Sequence, residues 1–255
     1  MHSIIRVATE AAREAGAFLH ANFKADLTVE TKEDRSLVTN VDHGAEEIIV
    51  RRIEEAFPGH DILGEERGRT SRNSNHLWAI DPMDGTHNYI RGMRDYGVSI
   101  GVLVGNAFVA GVIYIPETDE LYAAERGSGA YLNGKKIHVS TRRDLASCMM
   151  GFDSELRSDI TRKLHALEKL CPRIFNIRMT GSAARSLSHI GEGVLDGVIE
   201  FSEKLWDFAA GVVIVQEAGG SATRHDGGLL TAQDTAWVAS NGLIHESLCQ
   251  IARSA

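Results

Sequence analysis

The chain has 255 residues, 43% of them hydrophobic and 24% charged, with a formal net charge of −8. This is the composition of a soluble globular protein, large enough to bury a substantial core in one domain or in two closely packed halves. The absence of a basic run or stripe argues against nucleic acid and anionic membrane as partners. With no leader-like N-terminus and no apolar run of spanning length, the cytoplasm is the expected location.

The pattern opens with an amphipathic helix, in which Ile5, Ala8, Ala12, Ala15 and Leu19 recur at spacings of three and four. A second helix follows Asn40, with Val41, Ala45, Ile48, Ile49 and Ile53 on one face and Pro58-Gly59 as its stop. Asp42 falls in its first turn. Strands are predicted at 77–80, 97–104, 107–115 and 120–124, with Gly105-Asn106 as a hairpin turn, so the first half is mostly antiparallel sheet. The second half alternates: strand 147–152, helix 156–170, strand 173–177, helix 182–190, strand 196–201, helix 206–217, strand 236–239 and helix 243–252. That alternation predicts a sheet covered by helices on both faces.

Three acidic segments interrupt this pattern. In Trp78 to Tyr89, Asp81 and Asp84 are ligand candidates for a hard cation. Pro82, lacking an N–H, is expected to end the preceding strand, and Gly85 to let the chain reverse before Thr86 begins a helix. A helix start offers unpaired N–H groups to a phosphate. Gly64-Glu65-Glu66 follows the apolar pair Ile62-Leu63, and Trp206-Asp207 follows Val198-Ile199-Glu200-Phe201. One such acid alone reads as a surface charge or a cap; three segments at strand ends or helix starts suit Mg²⁺ or Mn²⁺. Carboxylates around a phosphate repel it unless cations lie between, and a metal-activated water could then attack phosphorus in line, with no covalent phosphoenzyme.

Other features carry no chemistry. Cys148, Cys171 and Cys249 are odd in number and unpaired by spacing, and read as buried thiols in a reducing compartment. The eleven His contain no H-E-x-x-H, which argues against a dedicated zinc site. The glycine-rich run from Gly127 to Gly134 lacks the lysine of a phosphate loop and ends in the hairpin pair Asn133-Gly134, while Arg142 and Arg143 read as a solvated loop.

Gly64-Glu65-Glu66, the run Asp81-Pro82-Met83-Asp84-Gly85-Thr86, the run from Trp206 to Gly211, and a fourth segment ending Thr39-Asn40-Val41-Asp42 carry a resemblance to the inositol monophosphatase family. That family lies within the lithium-sensitive, magnesium-dependent sugar phosphatases, and the likeness runs nearly end to end. It implies a layered α-β-α-β-α sandwich of the inositol monophosphatase and fructose-1,6-bisphosphatase type. An N-terminal α+β half (1–140) would carry most metal ligands and a C-terminal α/β half (141–255) would complete one catalytic unit, the boundary falling near 139–144.

The resemblance further implies that Glu65, Asp81 and the Met83 carbonyl bind one metal and that Asp81, Asp84 and Asp207 bind another. Glu65 and Thr86 would activate water, with Asp42 bonded to Thr86. Gly85 and Thr86 would hold phosphate, Glu200 would meet substrate hydroxyls, and Gly181, Ser182 and Ala183 would lie beside the substrate. Glu66 and Lys32 would stand in the outer shell, Lys32 matching the family lysine only approximately. Two or three Mg²⁺ ions, replaceable by Mn²⁺, inhibition by Li⁺, and a homodimer are the family's expectations.

Ser36 stands where the family commonly carries an Asp, which affects a third, weaker metal position. His87 stands where it often carries a small polar residue, so it is read either as a titratable neighbour of phosphate or as an exposed first-turn side chain. The expected substrate is inositol 1-phosphate or a related polyol phosphate. The alternatives are fructose 1,6-bisphosphate, histidinol phosphate and adenosine 3′,5′-bisphosphate. The segment 154–178 looks short, as in compact enzymes acting on both inositol and fructose phosphates, and Arg173, Arg178 and Arg185 are candidates for a second phosphate. A non-catalytic, metal-binding regulatory protein on the same fold is the remaining alternative.

Overall fold

The structure, a computed structural model, describes residues 2–32 and 35–255. It begins with α1 (His2–Ala21), whose small buried positions Ala8, Ala11, Ala12 and Ala15 let it lie close to its neighbours. A short hairpin of β1 (Val29–Thr31) and β2 (Leu37–Thr39) leads into α2 (Asn40–Ala56). Next come β3 (Asp61–Gly64), β4 (Gly68–Thr70), β5 (His76–Asp84), the single turn α3 (Thr86–Ile90), β6 (Gly97–Val104) and β7 (Ala107–Ile115). After β8 (Glu120–Glu125), β9 (Gly129–Leu132) and β10 (Lys135–Lys136), the chain enters β11 (Met149–Phe152), α4 (Ile160–Leu170), β12 (Asn176–Arg178) and α5 (Ala183–Gly191). It ends with β13 (Gly197–Glu200), α6 (Leu205–Glu217), β14 (Ser221–Arg224), β15 (Trp237–Ser240) and α7 (His245–Arg253).

Two sheets organise these elements. The larger has eight strands in the order β10-β9-β8-β7-β6-β5-β3-β4 and is antiparallel except for the parallel pair β3 and β5. The smaller runs β12-β11-β13-β15-β14, with β11 parallel to both neighbours and the rest antiparallel. One face of the large sheet buries α1 and α2, the other buries α5 and α6, and α6 also touches the small sheet, whose far face carries α4 and α7. The layering is therefore α-β-α-β-α, as expected. Helix α6 explains why the layers close: Phe208 to Val215 is buried without a break, as a helix apolar on all sides requires. It sits so near the large sheet that a Cβ on Gly101 would stand 2.5 Å from the Ala209 Cβ, and one on Gly111 2.2 Å from the Ala210 carbonyl oxygen.

Several expectations shift. Strand β5 does not end before Pro82 but continues to Asp84, and its pairing with β6 changes register between Asp81 and Asp84. Proline cannot donate to the ladder, so the strand bulges rather than stops. Helix α4 begins at Ile160, not at 156, because Glu155 instead accepts the N–H groups of Arg157 and Ser158 at 3.1 and 3.0 Å. The strand placed at 173–177 gives way to a 3₁₀ turn over Cys171–Arg173, with Pro172 at its start, and pairing begins only at Asn176. Cys171 is exposed at that turn, whereas Cys148 and Cys249 are buried as expected. Strands β1, β2, β4, β9, β10 and β14 are too short or too polar to have been predicted.

Asn133 and Gly134 form the turn between β9 and β10 with φ of 47° and 77°, so the glycine-rich run is structural. Arg142 pairs with Asp196 at 3.3 Å. Among the described residues no helix is long and apolar enough to cross a membrane.

Candidate active site

The site gathers where β3, β5, α2, α5 and α6 present their ends to one another. Thr39 caps α2: its hydroxyl accepts the N–H groups of Val41 and Asp42 at 3.1 and 3.4 Å, and its own N–H and O–H donate to Asp42 Oδ2 at 2.7 and 2.6 Å. This reciprocal cap holds the buried Asp42 with Oδ1 facing Thr86. Thr86 Oγ1 has one hydrogen and two acceptors, Asp42 Oδ1 at 3.1 Å and the Met83 carbonyl at 3.0 Å. Burial first, and the Glu65 charge after the local hydrogen bonds, raises the Asp42 carboxyl above its ordinary value.

The bulge after Asp81 turns inward because Asp81 Oδ1 accepts the Met83 N–H at 2.9 Å. Asp81 and Asp84 are both buried. Asp84 Oδ2 accepts the Ser182 hydroxyl at 2.7 Å and the Ala184 N–H at 2.5 Å. Ser182 in turn accepts the Arg185 N–H at 3.0 Å and caps α5. Gly85 adopts φ 93°, and a Cβ there would stand 2.7 Å from the Asp95 carbonyl oxygen, so the turn requires glycine. The helix beginning at Thr86 is a single turn of five residues, and His87 lies exposed on it.

On the opposite side, Lys32 Nζ donates to Glu65 at 2.8 Å and to Glu66 at 2.7 Å. Asp207 stands in the first turn of α6, partly open to solvent, with Oδ2 accepting the Lys204 N–H at 2.6 Å. Burial, and then the Glu203 charge, holds its carboxyl well above the usual carboxylate range.

The electrostatics follow from this crowding. Burial, and then the charges of Glu65, Asp84 and Asp207, holds the Asp81 carboxyl well above the usual carboxylate range. Burial and then Asp207 push Asp84 up to about 7. Burial and then Glu200 push Glu203 up to about 8, and burial pushes Glu66 up to about 7. Among the described residues no three His, Cys, Asp or Glu side chains already close on a common point. The donors are nevertheless all oxygen and mutually repelling, with Asp81 and Asp84 buried, which a hard divalent cation would relieve and a soft one would not.

A cavity of about 70 Å³ adjoins Asp84, lined by Phe152, Gly181, Ser182, Ala183, Glu200 and Glu203. Glu200 is buried there, and its Oε2 has no hydrogen-bond partner among the described residues. Of the candidates for a second phosphate, Arg185 is already bound to Glu120 and lies 3.7 Å from Asp95, while Arg178 donates to the Ile177 carbonyl.

Three residues that build this site escaped the sequence reading. Glu46, fully buried on α2, accepts the N–H groups of Glu66 and Arg67 at 3.1 and 3.4 Å and so fixes the Glu65 turn. Its signal was an acid four residues after Asp42 among apolar positions. Asn88 Nδ2 donates to the carbonyls of Asp95 and Thr180, at 2.7 and 2.8 Å, and ties α3 to the segment before Gly181. Glu203 joins the cavity wall, and only its place between Glu200 and Asp207 could have pointed to it.

Comparison with known proteins gives a consistent result. The model of the inositol monophosphatase family matches residues 1–255. A fructose-1,6-bisphosphatase/inositol-1-monophosphatase of Aquifex aeolicus is 37% identical over 253 residues, 98% of this chain and 95% of that one. Nus factor SuhB of Escherichia coli K12 is 37% identical over 233 residues, 89% of this chain and 87% of its own length. A solved IMPase/NADP phosphatase complexed with Mg²⁺ and phosphate superposes with a TM-score of 0.83 at 26% identity, covering 94% of this chain and 90% of that one.

Proposed function

Because this chain belongs to the inositol monophosphatase family, we propose that it is a Mg²⁺-dependent phosphomonoesterase acting on inositol 1-phosphate and related polyol phosphates. The observation that carries this reading is the Thr86 hydroxyl, within hydrogen-bond distance of both Asp42 Oδ1 and the Met83 carbonyl, set against the buried carboxylates Asp81 and Asp84. Glu65, Asp81 and the Met83 carbonyl would hold one ion, and Asp81, Asp84 and Asp207 another. Bound Mg²⁺ supplies the positive charge that lets a phosphate enter among carboxylates and makes a water acidic enough to attack.

The chain's own residues do the rest. With its hydrogen given to Asp42, Thr86 Oγ1 is an acceptor for a water held between it and Glu65, and the water's proton passes to these groups as it attacks phosphorus. The Gly85 and Thr86 amides meet the phosphate oxygens. Glu200 Oε2, an acceptor without a donor, fits a substrate hydroxyl, and Gly181 to Ala183 leave room for the ring beside it. Lys32 bridges Glu65 and Glu66 beside the site. We read the protein as a cytoplasmic homodimer sensitive to Li⁺, in keeping with the family.

Fructose 1,6-bisphosphate is the second reading, favoured by the name of the Aquifex aeolicus relative. The ion pair of Arg185 with Glu120 weighs against it, since that carboxylate already offsets the guanidinium charge. Phosphate release with Mg²⁺ from inositol 1-phosphate, fructose 1,6-bisphosphate, histidinol phosphate and adenosine 3′,5′-bisphosphate tests both. Preference for the first supports the proposal, and preference for the second transfers it to sugar bisphosphates. No turnover on any, with Mn²⁺ also tried, would leave a non-catalytic regulatory protein.

A further inference from the structure

The outer face of the small sheet carries a second, open cleft, of about 390 Å³, where α4, the turn after β14 and the end of α7 meet. Arg162, Arg224 and Arg253 line it with His225 and a single carboxylate, Asp226. That is a local excess of positive charge on a chain whose formal net charge is −8.

Two of the three arginines are already engaged. Arg224 donates to Asp226 from Nε and Nη2 at 3.1 and 2.9 Å, and Arg253 donates to Glu246 at 2.7 Å and to the Asp226 carbonyl at 3.2 Å. Arg162 has no carboxylate partner among the described residues. Its guanidinium carbon lies 5.1 Å from the centre of the Phe201 ring, and its Nη2 donates to His225 Nδ1 at 3.0 Å. Because Nδ1 accepts, the ring hydrogen of the buried His225 sits on Nε2, which donates to the Glu200 carbonyl at 2.8 Å. A guanidinium that faces a cleft is thus joined, through one imidazole, to the backbone of the residue whose side chain walls the candidate active site.

We propose that this cleft is a second anion site, taking a phosphate group, with Arg162 as its principal ligand and His225 as its link to Glu200. A planar guanidinium with free N–H groups binds a tetrahedral dianion through two parallel hydrogen bonds, and the Phe201 ring fixes the plane from which it does so. Arg224 and Arg253 add field without having to release their carboxylates. The phosphate could be free or part of a small metabolite, and the cleft is roomy enough for either. The site itself is independent of the hydrolase reading; only the significance of its link to Glu200 rests on that reading.

The test titrates the full-length protein with inorganic phosphate, following the His225 ring nitrogens by proton–nitrogen correlation spectra, first with Mg²⁺ and then with a chelator. In chelator the uncompensated carboxylates of the active-site cavity oppose phosphate, so binding that persists and responds to the cleft variants belongs to the cleft. A saturable shift of His225 in both conditions is expected, weakened about tenfold or more in Arg162→Gln and also weakened in Arg224→Gln. Arg142→Gln, which alters an arginine paired elsewhere, should leave it unchanged. No saturable shift in chelator, or the same affinity in Arg162→Gln as in the native protein, overturns the proposal. A phosphate ester such as glycerol 3-phosphate is then compared in chelator: tighter binding than phosphate identifies a metabolite site, and equal binding a free-phosphate site. A protein that hydrolyses none of the four esters could still pass this test, so failure of one reading is distinct from failure of the other.

Discussion

Glu46 Oε1 accepts the backbone N–H of Glu66 at 3.1 Å from a side chain with no solvent exposure. The contact is so close that a Cβ on Gly64 would stand 2.1 Å from the same oxygen. A helix buried against the sheet therefore sets the direction in which Glu65 leaves β3.

Glu46→Ala removes the acceptor for two backbone donors, those of Glu66 and Arg67. These donors are only part-buried, so leaving them unpaired should cost about 1 kcal/mol, seen as a lower midpoint in urea denaturation. Glu46→Gln keeps the oxygen, so it should fall between the native protein and the alanine variant. Equal midpoints for Glu46→Ala and the native protein would remove Glu46 from the account of the turn.

The residue classes that mark the site were legible because carboxylates at strand ends are conspicuous wherever they fold. Asp81, Asp84 and Asp207 could be singled out for that reason, whereas the helical face of α2 placed Asp42 only in a first turn, and its role came from the family resemblance. Asn88 was not legible, since its meaning comes from the Thr180 carbonyl, 92 positions away. Neither was the passage of β5 through Pro82: local chemistry argues for a stop, while the neighbouring β6 still pairs with Asp84 through Gly97. The link from His225 to Glu200 likewise spans 25 positions and leaves no periodic trace.

Thr86→Val keeps the shape of the side chain and removes the hydroxyl shared by Asp42 and Met83. If Thr86 passes a proton during attack on phosphorus, kcat should fall by about 10²–10⁴, while Thr86→Ser should retain most activity. Steady-state rates with saturating Mg²⁺ separate the two. A valine variant with near-native kcat would leave Thr86 only a structural role.

Lys32 places one ammonium on both Glu65 and Glu66, and those carboxylates, outweighing the opposing effect of burial, hold it charged. A cation on Glu65 must compete with that ammonium. Lys32→Met should therefore lower the half-saturating Mg²⁺ concentration by about two- to fivefold, the range of a partly exposed ion pair. Metal titrations of the resting protein by calorimetry give the answer without recourse to turnover. A rise in the half-saturating concentration would mean that Lys32 supports the Glu65 position more than it competes for it.

Asp61, at the start of β3, fastens the loop that returns to β5. Its carboxylate accepts the Arg72 N–H at 2.7 Å, the Ser74 N–H at 3.1 Å and the Arg69 guanidinium at 3.0 Å, and the Arg72 backbone bond is the largest cause holding it down at about 2. An unfolded aspartate titrates near about 3.9. A carboxyl whose folded value is depressed binds fewer protons than the unfolded chain, so its stabilising effect is complete above the unfolded value and fades as pH falls toward about 2. Asp61→Asn should accordingly lower the thermal midpoint by a constant amount between neutral pH and about 5, and by a shrinking amount below about 4. Thermal melts of both proteins across that range decide the matter, and a difference that grows on acidification would contradict the depressed carboxyl.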